Sequence, residues 1–394
     1  ILKYEPQLWR MGACRPTIDG TIVGFEKKGK DTYALIDTSD VHTLMIAAAG
    51  TGKTTFFLEP NIEYCCAAGM SFISTDTKGD IYRNCGYVAA KRYGYKISVI
   101  DLRNPLKSDG FNLLHLVKKY MDEHKNNPLN ISAKAKSERY AKIVADSIIA
   151  ADGDKYGANT YFYDAAKGLI AALILIIAEY GNDKECHIVS VLKLMIELLE
   201  AKPQKKSQLK SETYFADLIK LLPPEHKARW LSGAAINNAD QAALSVISTA
   251  LSRLNSLIDT ETEQILCFNT AIDTETLCKE KCAVFIVLPE EDRTKYVIAN
   301  LIIEQISREI YHIADENGGH LDKRIMIYFE EFGTMPPISG VEAMFSALRS
   351  RSVSIVAIIQ SFAQLEKNYG KQGAEIIVDN TQLMLFGGFA PGSS

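Results

Sequence analysis

The segment Leu44-Met45-Ile46-Ala47-Ala48-Ala49-Gly50-Thr51-Gly52-Lys53-Thr54-Thr55 constrains this chain more than any other. An apolar run of strand character enters a glycine-containing loop and leaves through a helix-compatible stretch, which is the layout of a phosphate-binding loop. In such a loop the backbone N–H groups and the next helix's N-terminus face a β-phosphate. Ala49, Gly50, Thr51, Gly52, Lys53, Thr54 and Thr55 are therefore the expected nucleotide contacts. Lys53 is expected to neutralise β/γ charge, and Thr54 to offer its hydroxyl to Mg²⁺. Ala47 stands where a first glycine is usual, and a left-handed backbone there would cost about 1 to 2 kcal/mol. We expect an ordinary negative φ at that position.

A nucleotide hydrolase also needs carboxylates at the end of a strand. Arg324-Ile325-Met326-Ile327-Tyr328-Phe329-Glu330-Glu331-Phe332-Gly333 supplies them, because its apolar run delivers both acids to a strand's C-terminal end, where ligand sites of α/β proteins form. Glu330 is assigned to the Mg²⁺ shell, and Glu331 to orienting and activating water. Gln360 closes the run Val353 to Ile359 and is placed to contact the γ-phosphate or the attacking water. Arg349 and Arg351 precede that run and are candidates to reach a neighbouring subunit's nucleotide. Lys53, Glu331, Gln360 and Arg351 form the expected catalytic set.

Other short apolar runs rich in β-branched residues alternate with helical patterns, as in a mostly parallel sheet flanked by helices. The expected strands are Thr43 to Ala48, Ser71 to Thr75, Lys96 to Asp101, Ala283 to Leu288, Ile325 to Phe329, Ser354 to Ile359 and Gln382 to Phe386. Between the third and fourth the signals are helical: Ser137 to Ala150, Asp164 to Tyr180, Ile188 to Leu199, Tyr214 to Leu222 and Ala239 to Leu257. This reads as an all-α insertion in an α/β core. Thr17 to Asp37 reads as a small hairpin turning at Lys27, Lys28 and Lys30. The expected organisation is an N-terminal segment at 1–40, a nucleotide-binding domain at 41–111 and 281–394, and an inserted helical domain at 112–280.

With 394 residues, 23% of them charged and 47% hydrophobic, the chain has room for two or three folded domains. A net charge of -4 gives no global pull toward nucleic acid, so any such contact must come from local patches or an assembly. The eight cysteines lack paired CxxC spacing and fit a reducing compartment. Nothing completes a zinc set around Cys278 and Cys282, and no metal is assigned to cysteine. The apolar run Leu169 to Ala178 is about half the roughly 20 residues that cross a bilayer and reads as a core helix. Lys202, Lys205, Lys206 and Lys210 read as a polar linker. A start at Ile1 rather than Met, and an end at Gly392-Ser393-Ser394, lead us to expect part of a longer protein.

At these residues the chain resembles the TraG/TraD-like coupling proteins of conjugation and type IV secretion, nearly end to end. The phosphate loop is followed by Glu59-Pro60-Asn61-Ile62, and Asp76-Thr77-Lys78-Gly79-Asp80 is similar to the family's DPKGE-type box. Phe111-Asn112-Leu113-Leu114 resembles its FNPL-type turn, and Tyr161-Phe162-Tyr163-Asp164 through Ala172 its helical signature. Glu330-Glu331-Phe332-Gly333 resembles its DEFG-type Walker B, and Arg351-Ser352 with Ile359-Gln360-Ser361-Phe362-Ala363-Gln364-Leu365 its IQS-x-x-QL segment. Thr77 replaces a proline of that pattern, and Glu330 an aspartate.

The resemblance implies a RecA-like P-loop NTPase core with an inserted all-α domain, ATP and Mg²⁺ as cofactors, and a homo-hexamer with nucleotide between subunits. It also implies an N-terminal membrane anchor and a place at the cytoplasmic face of the bacterial membrane. The function it implies is an ATP-driven coupling protein. Such a protein recruits a relaxase or relaxosome with single-stranded DNA, or effector proteins, and delivers them to type IV secretion channel components. Two other readings stay open: a chromosome-type hexameric DNA translocase, and a nucleotide-gated substrate receptor with weak ATPase activity.

Overall fold

The computed structural model describes residues 7–13, 18–150, 160–199, 214–233 and 240–388. Cys14, the four lysines of the expected linker and the C-terminal Gly392-Ser393-Ser394 lie outside them.

Seven runs of apolar sequence become one seven-stranded sheet in the order β10-β4-β9-β8-β5-β7-β6. Its strands are β4 (Thr43–Ile46), β5 (Ser71–Asp76), β6 (Lys96–Asp101), β7 (Cys282–Val287), β8 (Ile325–Phe329), β9 (Val353–Ile359) and β10 (Leu383–Phe386). Every pairing among them is parallel. β5, β7, β8 and β9 are buried along their whole length, as expected for parallel strands covered on both faces, which read as continuous apolar runs. All seven expected strands are present, with ends moved by no more than two residues. The α/β class is as expected.

Sheet order positions the site. β9 lies between β4, which feeds the phosphate loop, and β8, which carries the two acids. The C-terminal ends of β4, β9, β8 and β5 therefore line up side by side on one rim.

The N-terminal segment forms a separate three-stranded antiparallel sheet in the order β1-β3-β2, built from β1 (Gln7–Arg10), β2 (Thr21–Lys28) and β3 (Asp31–Asp37). The hairpin was expected and β1 was not. This sheet shares one core with the helix Glu59–Ala68: Trp9 meets Tyr64 edge-on at 5.1 Å, and Ile22, Ala34 and Ile36 are buried in the same cluster as Ile62, Phe72 and Phe285. Buried Asn61 stitches the two together, its Oδ1 accepting from Ile22 N at 2.7 Å and its Nδ2 donating to Phe57 O at 2.9 Å.

Two compact units are resolved. One comprises Ile1–Asn104, Ile272–Ala299 and Ile306–Ser394, and contains both sheets; the other comprises Pro105–Ala271 and Asn300–Gln305. These limits differ from the expected 112 and 280: the turn at Phe111 to Leu114 belongs to the helical unit, whereas the helix Thr274–Lys279 belongs to the sheet unit.

The helical unit contains His115–Asn126, Ile131–Ala150, Thr160–Tyr180, Ile188–Leu199, Tyr214–Leu221, Lys227–Leu231, Asp240–Asn255 and Thr260–Leu266. His115–Asn126 was not expected. Thr160–Tyr180 is long and apolar enough to cross a membrane, yet Leu169 to Ala178 is buried throughout, which is the behaviour of a core helix. The Phe111 to Leu114 turn is pinned within this unit by Asn112, whose Nδ2 donates to Cys186 O at 2.8 Å while its own N–H goes to Thr270 Oγ1 at 2.9 Å.

Candidate functional site

The loop after β4 is rooted in its neighbours. Ala47 N donates to Ile359 O at the end of β9, and Ala48 N to Gly388 O beyond β10. Ala47 is not in the left-handed region, so the residue that departs from the glycine pattern carries no strain. The left-handed turns fall instead on Gly50 (φ 77°) and Gly52 (φ 79°), where glycine has no steric penalty. A Cβ at Gly52 would also meet the Phe56 ring at 2.5 Å. Thr51 closes the loop, its Oγ1 donating to Ala48 O at 2.9 Å. Ala49 lies on the turn itself, and Thr55 lies in the wide π-type turn Thr54–Leu58 that opens the following helix.

β8 brings its acids to this loop. Thr54 Oγ1 donates to Glu330 Oε1 at 3.0 Å, and Lys53 Nζ lies 3.5 Å from Glu331 Oε1. Gln360, at the end of the intervening β9, reaches the other oxygen of Glu331 with Nε2 at 3.4 Å. Lys53, Thr54, Glu330, Glu331 and Gln360 are thus assembled across three adjacent strands, Lys53 and Glu331 being 278 residues apart in sequence.

Arg351 is not brought to this cluster. It precedes β9, at the opposite rim of the sheet, where its guanidinium lies 3.2 Å from Asp315 and 5.0 Å from the centre of the Tyr311 ring. Its Nη1 also donates to Ala347 O at 3.1 Å. Arg349, two residues earlier, is exposed.

The surroundings differ between the two acids. Glu330 is 5% exposed and burial raises its pKa, opposed by hydrogen bonds from the Thr77 N–H, the Thr54 hydroxyl and the Thr77 hydroxyl, with the nearby Asp76 charge raising it further. Glu331 is half-buried and lies between Lys53 and Gln360. A carboxylate held by a lysine and an amide can receive a proton from, or orient, a water in front of it. The Thr54 hydroxyl and the Glu330 carboxylate are two hard oxygen donors facing one another, the chemistry that suits Mg²⁺.

Residues outside the expected catalytic and phosphate-contact sets complete the arrangement. Asp76, fully buried, receives N–H groups from Lys78 (3.3 Å), Gly79 (2.7 Å) and Tyr82 (2.9 Å), and so fixes the loop after β5. Burial is the main cause of its raised pKa. Thr75 Oγ1 accepts the Glu330 N–H at 3.0 Å, and Thr77 donates to Glu330 from both its backbone and its hydroxyl. Gln364 Oε1 accepts the Gln360 N–H at 2.9 Å, while Asn368 Nδ2 donates to Gly333 O and Met335 O. Gln364 belongs to the IQS-x-x-QL segment, whose spacing was the available signal.

This rim is that of a P-loop nucleotide-binding protein: a parallel sheet whose phosphate loop, paired acids and interposed amide meet at the strands' C-terminal ends. The model of the family described as "Type IV secretory system Conjugative DNA transfer" matches residues 12–390, and the chain belongs to that family. The resemblance carried by the short boxes is borne out.

The chain is 22% identical over 346 residues to the type IV secretion system-coupling protein VirD4 of Bartonella henselae, covering 86% of this chain and 49% of the relative. The Bartonella quintana counterpart is likewise 22% identical, over 347 residues, with the same coverage. The chain thus spans about half the length of the curated relatives it matches. Among solved structures, the bacterial conjugative coupling protein TrwBdeltaN70 in complex with sulphate matches with a TM-score of 0.62 at 14% identity, over 97% of this chain and 81% of that one. The plasmid coupling protein TrwB in complex with ADP and Mg²⁺ matches with a TM-score of 0.58 at 13% identity, over 89% and 71%. These likenesses establish the fold, a RecA-like core with a helical domain.

Proposed function

We propose that this chain is the ATP-hydrolysing part of a coupling protein that brings DNA-relaxase complexes, effector proteins or both to a type IV secretion channel. The observation that carries the reading is the convergence of Lys53, Thr54, Glu330, Glu331 and Gln360 on one rim. ATP occupies the loop through its phosphates, with Ala49 to Thr55 as contacts and Lys53 meeting the β/γ charge. Thr54 and Glu330 hold Mg²⁺, which when bound neutralises phosphate charge. Glu331 orients the attacking water and takes its proton; Gln360 fixes Glu331 and the water.

Family membership supports a homo-hexamer at the cytoplasmic face of the bacterial membrane, with nucleotide between subunits, and a relaxase or relaxosome with single-stranded DNA, or effector cargo, as partner. In such a ring an arginine from the neighbouring subunit completes the site. Arg351 is engaged by Asp315 and Tyr311, so exposed Arg349 is the better candidate of the two.

ATP hydrolysis measured with and without single-stranded DNA tests the reading. Hydrolysis abolished by Glu331→Gln and responsive to a cognate relaxase supports a coupling ATPase. Stimulation by DNA with indifference to the relaxase would favour a chromosome-type translocase. Binding with negligible turnover under every condition would favour a nucleotide-gated receptor.

A further inference from the structure

We propose that Thr77 is a positioning residue for the Mg²⁺ carboxylate, and that Thr77 and Glu330 work as a matched pair; this rests on the reading that the loop binds Mg²⁺ with nucleotide. Two of the departures from the family's boxes, threonine for proline at 77 and glutamate for aspartate at 330, fall on residues that touch. Thr77 N donates to Glu330 Oε2 at 2.9 Å and Thr77 Oγ1 donates to the same oxygen at 3.0 Å. The other oxygen, Oε1, is thereby turned to the Thr54 hydroxyl at 3.0 Å.

The physical need is specific to this sequence. A glutamate has one more rotatable bond than an aspartate, and its longer arm presents two oxygens in a pocket where it is only 5% exposed. An oxygen left there without a donor bears the desolvation cost of a buried charged group uncompensated. A proline at 77 has no N–H and no hydroxyl, so it would leave Oε2 unserved. A threonine supplies two donors on one residue.

The donor itself is fixed. Asp76 receives three N–H groups from Lys78, Gly79 and Tyr82 and holds the loop that carries Thr77, while Thr75 Oγ1 accepts the Glu330 N–H. Residues 75 and 77 therefore grip the backbone and the side-chain end of Glu330, leaving Oε1 turned toward Thr54. Asp76 ends β5 in the extended conformation that a residue before proline requires. The pair can thus be exchanged as a unit.

The test measures ADP affinity by calorimetry in EDTA and then across a Mg²⁺ titration, for the wild type, Thr77→Val, Thr77→Ser, Thr77→Pro, Glu330→Asp and the double variant Thr77→Pro/Glu330→Asp. Removing the partner that orients a metal ligand typically lowers metal affinity about 10- to 100-fold. The Mg²⁺ concentration giving half the gain in ADP affinity should rise by about that factor in Thr77→Pro and in Glu330→Asp. Thr77→Val, which keeps the N–H, should fall between, and Thr77→Ser should stay near wild type. The double variant should recover toward wild type, and ADP affinity in EDTA should be unchanged throughout.

Unchanged Mg²⁺ dependence in Thr77→Val and Thr77→Pro, or a double variant at least as impaired as the two singles combined, overturns the pairing. Thermal melts in EDTA separate a misfolded variant from one that has lost only the metal, and Thr77→Val, nearly isosteric, then decides. A wild type whose ADP affinity ignores Mg²⁺ overturns the functional reading and this proposal with it; a wild type that responds while the Thr77 variants match it overturns the pairing alone.

Discussion

The two rims of the parallel sheet handle charge in opposite ways. At the C-terminal rim Lys53, Glu330 and Asp76 are 8%, 5% and 0% exposed, yet each is hydrogen-bonded or ion-paired within a network. At the N-terminal rim, Arg324 is paired with exposed Asp40 and Arg351 with exposed Asp315, while buried His42 is kept uncharged. Burying charge is expensive, and a fold retains it where partners and a task justify it. The contrast marks the first rim as the chemical one and leaves to the second a supporting role.

The largest expected effect would break that division. In an assembled ring, Arg349→Ala should lower ATP turnover by about 10³ to 10⁵, the worth of an arginine acting across subunits, with ATP affinity nearly unchanged. Arg351→Ala should change turnover little. Steady-state hydrolysis on co-assembled mixtures sharpens the test: Arg349→Ala mixed with Glu331→Gln should regain activity at interfaces that join an intact base to an intact arginine. If Arg351→Ala is the variant that collapses turnover, the assignment moves back to it.

Next, Glu331→Gln should lower kcat by about 10² to 10⁴, the usual worth of a general base, while calorimetry finds ATP bound within a few-fold of wild type. Lys53→Ala should instead weaken ATP binding itself. Equal loss of binding in both would mean that the Lys53 and Glu331 pair acts as one structural unit.

A third prediction concerns the supporting rim. Burial, aided by the Arg349 charge, holds the His42 imidazole at about 4 against 6.5 in ordinary surroundings. The unfolded chain takes up a proton across that interval and the folded chain does not. The stability that depends on neutral His42 is therefore complete above about pH 6.5 and declines as the pH falls toward 4, by about 3 kcal/mol in order of magnitude. Denaturant melts between pH 7 and 4 should lose this slope in His42→Asn, which can still accept the Ile355 N–H.

The smallest effect belongs to Gly333→Ala. An added Cβ would lie 2.1 Å from Gln364 Oε1 and 2.9 Å from Gln364 Cβ, so the amide that holds Gln360 must shift. We expect a loss of about 1 to 3 kcal/mol in stability, and a lower kcat with ATP affinity kept. Unaltered kcat would remove Gln364 from the support of the site.

The sheet was legible because four of its strands, β5, β7, β8 and β9, are buried on both faces and read as continuous apolar runs. The phosphate loop and the paired acids were legible because their chemistry requires particular residue types at fixed spacing. β1 was not: it has four residues, and Trp9 alone among its described side chains is buried. His115–Asn126 was hidden by the lysines, acid residues and histidines on its outer side, although Leu116, Val117, Tyr120 and Met121 form a buried stripe at helical spacing. Thr77 was legible as a departure but not as a partner, since its contact with Glu330 spans 253 residues and exists only because β5 lies beside β8. Arg351 is kept from the acids by strand direction: it precedes β9 whereas they follow β8, and the two strands run parallel, so they reach opposite rims.

The peptide unit joining Ile359 to Gln360 faces two ways. Its carbonyl receives the Ala47 N–H at the root of the phosphate loop, and its own N–H goes to Gln364 in the helix Phe362–Asp379. One rigid plane is therefore clamped at both edges, and a planar amide transmits rotation with little loss. The amide thus ties the root of the phosphate loop to the first turns of that helix, on the near side of the break at Gly370.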